Sequence, residues 1–146
     1  MEPILEQSYW KKRMDGAVLP HHAIFKCDAL TWSMIEKSHR SILSRIIGSE
    51  DSVLDVGCGW GRLIDMLDGE WNGRYLGIDI AACFVDAARE SYPDHRFIRG
   101  DVLNVIPELN EKRFDWAIAI SMAPMICRNL GKQEWDKRED TILSIS

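Results

Sequence analysis

The chain has 146 residues, of which 46% are hydrophobic and 28% charged, and its formal net charge at pH 7 is −5. This size and balance are typical of a single folded globular domain and exclude a largely disordered protein. The negative net charge disfavours broad contact with a nucleic-acid backbone, which depends on clustered lysine and arginine.

The first 50 residues are predicted to form a helical segment that acts as a cap or lid. The stretch before Gly16 lacks the basic, apolar and small-residue regions of a secretory signal, so we expect a cytoplasmic location. Four ring-bearing side chains are candidates for a lid over the site or for a general base: Tyr9, Trp10, His21 and His22. Residues of these types are more commonly surface aromatics and solvated histidines. The longest apolar run, residues 116–127, is too short to span a membrane, so we do not expect the chain to cross one.

From residue 28 onwards, helical and extended patterns alternate along the chain. Asp28 can cap a helix that runs to about Ile47 and ends at Gly48. The later pattern predicts strands at 52–56, 75–80, 95–101 and 114–121, helices at 61–69, 82–92 and 132–140, a short helical turn at 104–109 and a final strand at 141–146. The helix at 132–140 is expected to be exposed. Because the strands are apolar on both faces, we expect a parallel sheet that is covered on each side.

The predicted fold class is therefore α/β. It is a three-layer, Rossmann-like, open and mostly parallel sheet of about five strands with helices on both faces. Residues 51–146 form this core and residues 1–50 the cap, within a single domain. Four cysteines are scattered without CxxC pairs or histidine neighbours, so we expect reduced thiols and neither a metal site nor disulfides: Cys27, Cys58, Cys83 and Cys127.

Three glycines alternate directly after the first predicted strand, at Gly57, Gly59 and Gly61. Glycine lets the backbone approach a ligand, and ligands in such sheets bind beyond the carboxyl ends of the strands. A P-loop of the nucleotide triphosphatases needs a lysine that this turn lacks. The dinucleotide fingerprint GxGxxG needs a small residue where Arg62 stands, so NAD and FAD are also disfavoured.

The stretch DVGCGWG, Asp55 to Gly61, resembles the first motif of the class I S-adenosylmethionine-dependent methyltransferases. The resemblance extends to the ends of the second and third strands and to the whole fourth strand. It implies S-adenosylmethionine as the cofactor and the following binding residues: Asp55, Gly57, Cys58, Gly59, Gly61, Asp79, Ile80, Asp101, Val102 and Ser121.

Each carboxylate has an implied role and a plain structural alternative. Asp79 is expected to accept hydrogen bonds from the ribose hydroxyls, instead of being only a solvated strand-end group. Asp101 and the backbone N–H of Val102 are expected to read the adenine edge, although Asp101 also fits as a helix N-cap. Asp55 either faces the cofactor's amino group or braces the loop. Three neighbouring side chains are expected to pack against the ligand or the core: Cys58, Trp60 and Ile80.

The resemblance implies methyl transfer to a small molecule or a protein without a metal ion. Such a reaction mainly needs alignment of donor and acceptor and exclusion of water, and no catalytic residue stands out in the sequence. Residues 121–130, SMAPMICRNL, differ from the Asn-Pro-Pro-Tyr signature of amino-directed nucleic-acid methyltransferases, which disfavours nucleic acid as the acceptor. Ser121 and Met122 are candidates for lining this part of the site.

The length of the chain leaves a second hypothesis open. The family core usually has seven strands, whereas this sequence ends within the predicted fifth strand. The alternative is therefore a non-catalytic S-adenosylmethionine-binding or interaction module. An uncovered sheet edge would also predict a second copy or another protein as a partner.

Overall fold

Four parallel strands form the centre of the molecule in the computed structural model, which describes residues 6–67, 69–110, 113–120, 122 and 130–145. In chain order the strands are β1 Val53–Val56, β2 Tyr75–Asp79, β3 Arg96–Arg99 and β4 Trp116–Ile118. Their order in the sheet is β3-β2-β1-β4, and every neighbouring pair is parallel. The direction of winding therefore reverses between β1 and β4, which is where ligands bind in open α/β sheets.

Helices cover both faces of this sheet. The helices are α1 Gln7–Asp15, α2 Ala29–Ile46, α3 Arg62–Met66, α4 Ala82–Ser91, α5 Val102–Val105 and α6 Lys132–Leu143, with 3₁₀ turns at Pro20–Ala23 and Ile106–Glu108. Side chains from α2, α3 and α4 pack with Val53 on one face, and side chains from α5 and α6 pack with Leu54 on the other. Successive residues of a strand point to opposite faces, so one strand supplies both cores. The predicted three-layer α/β class is confirmed.

The long helix α2 has the predicted capping residue. The Asp28 carboxylate accepts hydrogen bonds from the backbone N–H of Thr31 at 2.8 Å and from its hydroxyl at 2.9 Å. These bonds satisfy a backbone donor that the first helical turn leaves without a partner. The helix ends at Ile46, one residue before the predicted end.

The predicted final strand at 141–146 is wrong. Thr141 to Leu143 continue α6, and a turn follows at Ser144 and Ile145. Ile142 and Ile145 are buried against the second face of the sheet, and the Ile145 carbonyl accepts a hydrogen bond from the backbone N–H of Phe114 at 3.0 Å. The described sheet therefore has four strands, and β4 lies at its edge.

The N-terminal segment packs on the pocket end of the molecule. The buried side chains of Trp10, Ala23, Ala81 and Phe84 form a cluster that we call the cap cluster. Gln7 ties α1 to the loop after β2, because its side-chain oxygen accepts from the Ala82 N–H at 2.7 Å and its amide nitrogen donates to the Ile80 carbonyl. Within the described ranges, no helix has the length and apolar character needed to cross a membrane.

Candidate cofactor-binding site

A pocket of about 610 Å³ opens at the carboxyl ends of the strands. Its volume falls within the range of small-molecule sites, roughly 300–1,000 Å³. One side of the pocket is built by residues of the glycine loop and the strand ends: Asp55, Gly57, Cys58, Gly59, Trp60, Asp79, Ile80, Gly100, Asp101, Val102, Ile120 and Met122. The other side is built mainly by the N-terminal segment: Tyr9, Trp10, Arg13, Ile24, Phe25, Trp32, Ile35 and His39.

The glycine loop is held at the end of β2 by its backbone. The N–H groups of Gly57 and Cys58 both donate to the Ile78 carbonyl, at 2.8 and 3.1 Å. Gly59 has a φ of +55°, and a Cβ built on it meets no atom within 4 Å, so the backbone is bare toward open space. Of the three alternating glycines, Gly59 is the one that leaves room for a ligand.

Gly61 is not among the residues that line the pocket, and its role in cofactor binding stays a prediction. Its φ is +88°, and a Cβ there would lie 2.7 Å from the ring of Tyr92. The residue is therefore needed for close packing behind the loop, where it also precedes α3 as its N-cap. Cys58 combines the two roles, because it lines the pocket while its thiol is buried beside Gly77. Burial raises the pKa of this thiol well above its usual value, so it stays protonated.

Asp79 connects the glycine loop with the loop after β2. One carboxylate oxygen accepts from the Gly59 N–H at 2.8 Å, and the other accepts from the Ala81 N–H at 2.8 Å. Burial raises the pKa of Asp79, and these backbone hydrogen bonds oppose that shift because they favour the charged form. The carboxylate thus lines the pocket in a fixed position, with lone pairs left for a ligand.

Asp55 is buried in β1, two residues before the glycine loop, with 4% of its surface exposed. Its Oδ2 accepts a hydrogen bond from the Tyr75 hydroxyl at 2.7 Å. Burial raises the pKa of Asp55 to about 7, against the opposing effect of the Tyr75 hydroxyl. Asp55 therefore links β1 to β2 through Tyr75, and it also lines the pocket. Both of its predicted roles, facing the cofactor's amino group and bracing the loop, stay predictions.

Asp101 caps α5 and lines the pocket at the same time. Its Oδ1 accepts from the Leu103 N–H at 3.1 Å, and its Oδ2 accepts from the Arg138 guanidinium at 2.7 Å. Val102 begins α5 with its side chain in the core, and Ile80 lies on the pocket wall beside the cap cluster. The predicted contact at Ser121 lies outside the described residues.

The side of the pocket lined by the N-terminal segment is rich in aromatic rings, and Arg62 of α3 lies against one of them. Arg62 places its guanidinium 4.8 Å from the centre of the Trp32 ring, with Glu36 3.5 Å and His39 3.4 Å away. Burial and the nearby Arg62 charge lower the pKa of His39. Two further aromatic side chains that were predicted near the site, Tyr9 and Trp10, do line it.

His21 and His22 lie in the N-terminal segment and do not line the pocket. The geometry therefore does not support the predicted role of a general base for either histidine. The His21 ring stacks on Trp32 with 4.7 Å between ring centres. The Nε2 atoms of both histidines lie about 3 Å from the Cys27 carbonyl oxygen, at 3.1 and 3.0 Å. Because a carbonyl only accepts, both Nε2 atoms donate to it.

Three arginines at the pocket were missed as site residues. Arg13 falls in a basic stretch that looks like a solvated surface, and Arg62 follows the glycine loop without belonging to its motif. Arg138 lies on the same helical face as the apolar Trp135 and Ile142, at spacings of three and four residues. That spacing was the signal that this arginine faces the interior.

A family model described as a methyltransferase domain matches residues 53–134, which is more than half of the chain. The matched range includes β1, the glycine loop, Asp79 and Asp101. Together with the parallel sheet and the pocket at its carboxyl edge, this match shows that the chain belongs to the class I S-adenosylmethionine-dependent methyltransferase family. The cofactor of this family is S-adenosylmethionine.

The chain is also similar to individual methyltransferases. Trans-aconitate 2-methyltransferase of Escherichia coli O157:H7 is 35% identical over 69 residues, which are 46% of this chain and 27% of that protein. The enzyme of the same name from Afipia carboxidovorans is 34% identical over 70 residues, covering 47% of this chain and 27% of that protein. The matched part therefore spans about a quarter of the length of these curated relatives.

Two solved structures share the fold. Magnesium protoporphyrin IX methyltransferase from Synechocystis PCC 6803, with bound S-adenosylmethionine, has a TM-score of 0.62 at 15% identity, covering 95% of this chain and 65% of that one. A TehB-like S-adenosylmethionine-dependent methyltransferase from Corynebacterium glutamicum ATCC 13032 has a TM-score of 0.56 at 19% identity, covering 80% and 63%. At these identities the similarity shows the fold alone.

The pocket of this chain fits an adenosyl cofactor on its own geometry. The bare backbone at Gly59 leaves open the space that a Cβ would fill. Asp79 and Asp101 add carboxylates at the ends of adjacent strands, where hydroxyl and amino groups of a nucleoside find acceptors. Apolar side chains such as Ile80 and Val102 lie beside them.

Proposed function

We propose that this chain binds S-adenosylmethionine in the pocket and transfers its methyl group to a small carboxylic acid. The observation that carries the proposal is a single pocket with two differently built sides. One side carries the bare glycine loop and the strand-end carboxylates. The other carries aromatic rings and the guanidinium of Arg13.

On the cofactor side, the proposed contacts follow from the positions of the acceptors. Asp79 accepts from the ribose hydroxyls, since it lies at the end of β2 with both oxygens already oriented by backbone N–H groups. Asp101 and the Val102 N–H bind the adenine edge, and Ile80 contacts the ring. The backbone at Gly57 and Gly59 passes beside the amino-acid part of the cofactor.

On the acceptor side, Arg13 supports a carboxylate ligand. Its guanidinium donates to the Ala23 and Ile24 carbonyls and lies 5.7 Å from the centre of the Tyr9 ring. Within the described part of the chain, no carboxylate lies within ion-pair distance of it. A positive charge on a pocket wall without an acidic partner favours an anionic ligand. The similarity to enzymes named for trans-aconitate, a polycarboxylic acid, supports the same class of acceptor.

The chemistry of such an acceptor agrees with the residues at the site. Bound S-adenosylmethionine supplies an activated methyl group. A carboxylic acid with a pKa near 4 is already ionised at neutral pH, so it can act as the nucleophile without a general base. The chain then needs only to align the two ligands and exclude water, which the rings of Tyr9, Trp10 and Trp60 can do.

A transfer assay tests the proposal. The purified chain is incubated with methyl-labelled S-adenosylmethionine and a panel of small mono-, di- and tricarboxylic acids, each beside its neutral amide. We expect methyl esters from acids and none from amides. Arg13→Met should lower kcat/KM for the best acid by about 10- to 100-fold, because a charge-assisted hydrogen bond is lost. Lys11→Met is the matched control, since Lys11 pairs with Asp15 at the surface and should not affect transfer.

The assay also shows whether Arg13 binds the carboxylate of the acceptor or that of the cofactor. If Arg13 binds the amino-acid carboxylate of the cofactor, Arg13→Met weakens binding of S-adenosylhomocysteine by a similar factor. If it binds the acceptor, that affinity is unchanged. Transfer only to proteins, or equal transfer to acids and amides, would contradict the proposed acceptor. Tight cofactor binding with no transfer at all would favour the alternative, a binding or interaction module.

Three further assignments belong to this proposal. Residues 1–50 form the cap over a core of residues 51–146 within one domain, which is supported by the ties that Gln7 makes to the loop after β2. A cytoplasmic location is supported by cysteines that are free in the described residues, Cys27, Cys58 and Cys83. A second copy or another protein covers the edge of β4, and nucleic acid is not a partner.

A further inference from the structure

Arg138 is a buried charge on the face of α6 that packs toward the sheet, beside the apolar Trp135 and Ile142. It lies in α6 with only 2% of its surface exposed, whereas the neighbouring Lys137 side chain is 61% exposed. Burying an arginine is costly unless its charge is paired and its donors are satisfied. The partners of Arg138 therefore indicate what it does.

The guanidinium of Arg138 joins three acceptors. It donates to Asp101 Oδ2 at 2.7 Å, to Glu134 Oε2 at 3.1 Å and to the Glu134 carbonyl at 2.8 Å. Glu134 belongs to the same helix, so it orients the guanidinium from within α6. Asp101 belongs to the loop after β3, thirty-seven residues away in sequence. The pair is thus a link between α6 and the strand end.

Both oxygens of Asp101 are fixed by these contacts. The Leu103 N–H holds Oδ1 at 3.1 Å, and Arg138 holds Oδ2. A carboxylate has about four lone-pair sites, so two are left for a ligand in the pocket that Asp101 lines. Because both partners are already in place, the carboxylate does not have to be ordered when a ligand binds.

We propose that Arg138 is a positioning residue for adenine recognition, which acts by holding the Asp101 carboxylate ready to accept from the 6-amino group. This inference rests on the proposed cofactor site. It gives α6 a role in cofactor specificity, because Arg138 orients a carboxylate that lies at a strand end. A purely structural Arg138 would anchor α6 without changing which base the pocket prefers.

Two ligands distinguish these roles. S-adenosylhomocysteine offers the 6-amino group to Asp101, whereas its 6-deamino analogue, with an unsubstituted purine, has only hydrogen at C6 and an unprotonated N1, so that its Watson–Crick edge gives a carboxylate no N–H to accept from. Calorimetric titration with each ligand compares the wild-type chain with Arg138→Met. We expect the variant to bind S-adenosylhomocysteine about 5- to 20-fold more weakly and the 6-deamino analogue less than about twofold more weakly, so that discrimination between the bases falls.

Lys137→Met is the matched control, because Lys137 also pairs with Glu134, at 2.8 Å, but faces solvent. The affinities of the Lys137→Met chain for both ligands should equal those of the wild type. In a chain that carries Asp101→Asn, adding Arg138→Met should cause no further loss of S-adenosylhomocysteine affinity, since the group through which Arg138 acts has been changed. If Arg138→Met does not fold, Arg138→Lys should show a smaller loss in the same direction.

Equal weakening of both ligands by Arg138→Met, or unchanged binding of both, would overturn the inference while leaving the proposed cofactor site intact. An additive effect in the Asp101→Asn chain would also overturn it. Absence of S-adenosylhomocysteine binding by the folded wild-type chain is a different result, since it would remove the proposed function itself.

Discussion

Asp55 shows how burial at the base of the pocket changes the chemistry of one residue. In the unfolded chain its carboxyl ionises near pH 3.8, whereas burial raises its pKa to about 7 in the folded chain. Between these values the folded state keeps a proton that the unfolded state has lost. Asp55 therefore contributes stability that is fully present below about pH 4 and is lost as pH rises to about 7.

This difference in protonation predicts how the stability of Asp55→Asn depends on pH. The amide cannot ionise and its oxygen can still accept from Tyr75, so the variant should gain stability relative to the wild type between pH 5 and pH 8, by on the order of 1–3 kcal/mol. Urea unfolding of both proteins across this range measures the difference. A difference between the two that stays constant with pH would show that Asp55 does not titrate in this window.

At the same scale, the sequence predicted the strand-end carboxylates better than their partners. Asp79 and Asp101 could be placed because they lie at the ends of predicted strands that follow a glycine loop in a fixed order. The bond from Tyr75 to Asp55 and the pair of Arg138 with Asp101 join residues far apart in sequence. Their approach depends on how strands and helices pack, and no local pattern records it. Gly61 was predicted only as a cofactor-binding residue, although a glycine with positive φ can also serve close packing, here against Tyr92.

Helix α6 is the element for which sequence patterns failed. The run TILSIS contains three β-branched residues, Thr141, Ile142 and Ile145, which favour a strand. In the folded chain the helix continues through Leu143, because Trp135, Arg138 and Ile142 lie on one helical face and pack toward the sheet. Tertiary burial thus outweighed local preference. The four strands and the helices α2 to α5 were predicted to within a few residues from their apolar patterns, and in α2 the cap at Asp28 agrees as well.

The helical assignment of this segment predicts a contrast between adjacent side chains. Ile142 is 6% exposed and Leu143 is 62% exposed. Ile142→Ala should therefore lower the free energy of unfolding by about 2–5 kcal/mol, whereas Leu143→Ala should change it by less than about 0.5 kcal/mol. Denaturant titration of the two variants provides the measurement. A larger loss for Leu143→Ala would contradict the packing of α6 against the sheet.

At the scale of the whole molecule, the topology of the sheet determines where the pocket lies. The sheet order β3-β2-β1-β4 brings the loops after β1, β2 and β3 to one edge, and the N-terminal segment closes over them. The sequence was sufficient to predict this parallel architecture and the cofactor class, because the glycine loop and the strand ends occur in a fixed order. The side of the pocket that the N-terminal segment lines could not be predicted, since the residues of that segment carry no motif.

The most direct test of the central claim is calorimetric titration of the 146-residue chain with S-adenosylmethionine, S-adenosylhomocysteine and NAD. We predict binding of the first two and at least tenfold weaker binding of NAD, on the order of 1.4 kcal/mol or more. Gly59→Val should abolish binding by filling the open space beside its backbone, whereas Gly131→Val, at another glycine with positive φ and open space, should not. Preference for NAD, or full affinity in a folded Gly59→Val chain, would contradict the assignment of this loop as the cofactor site.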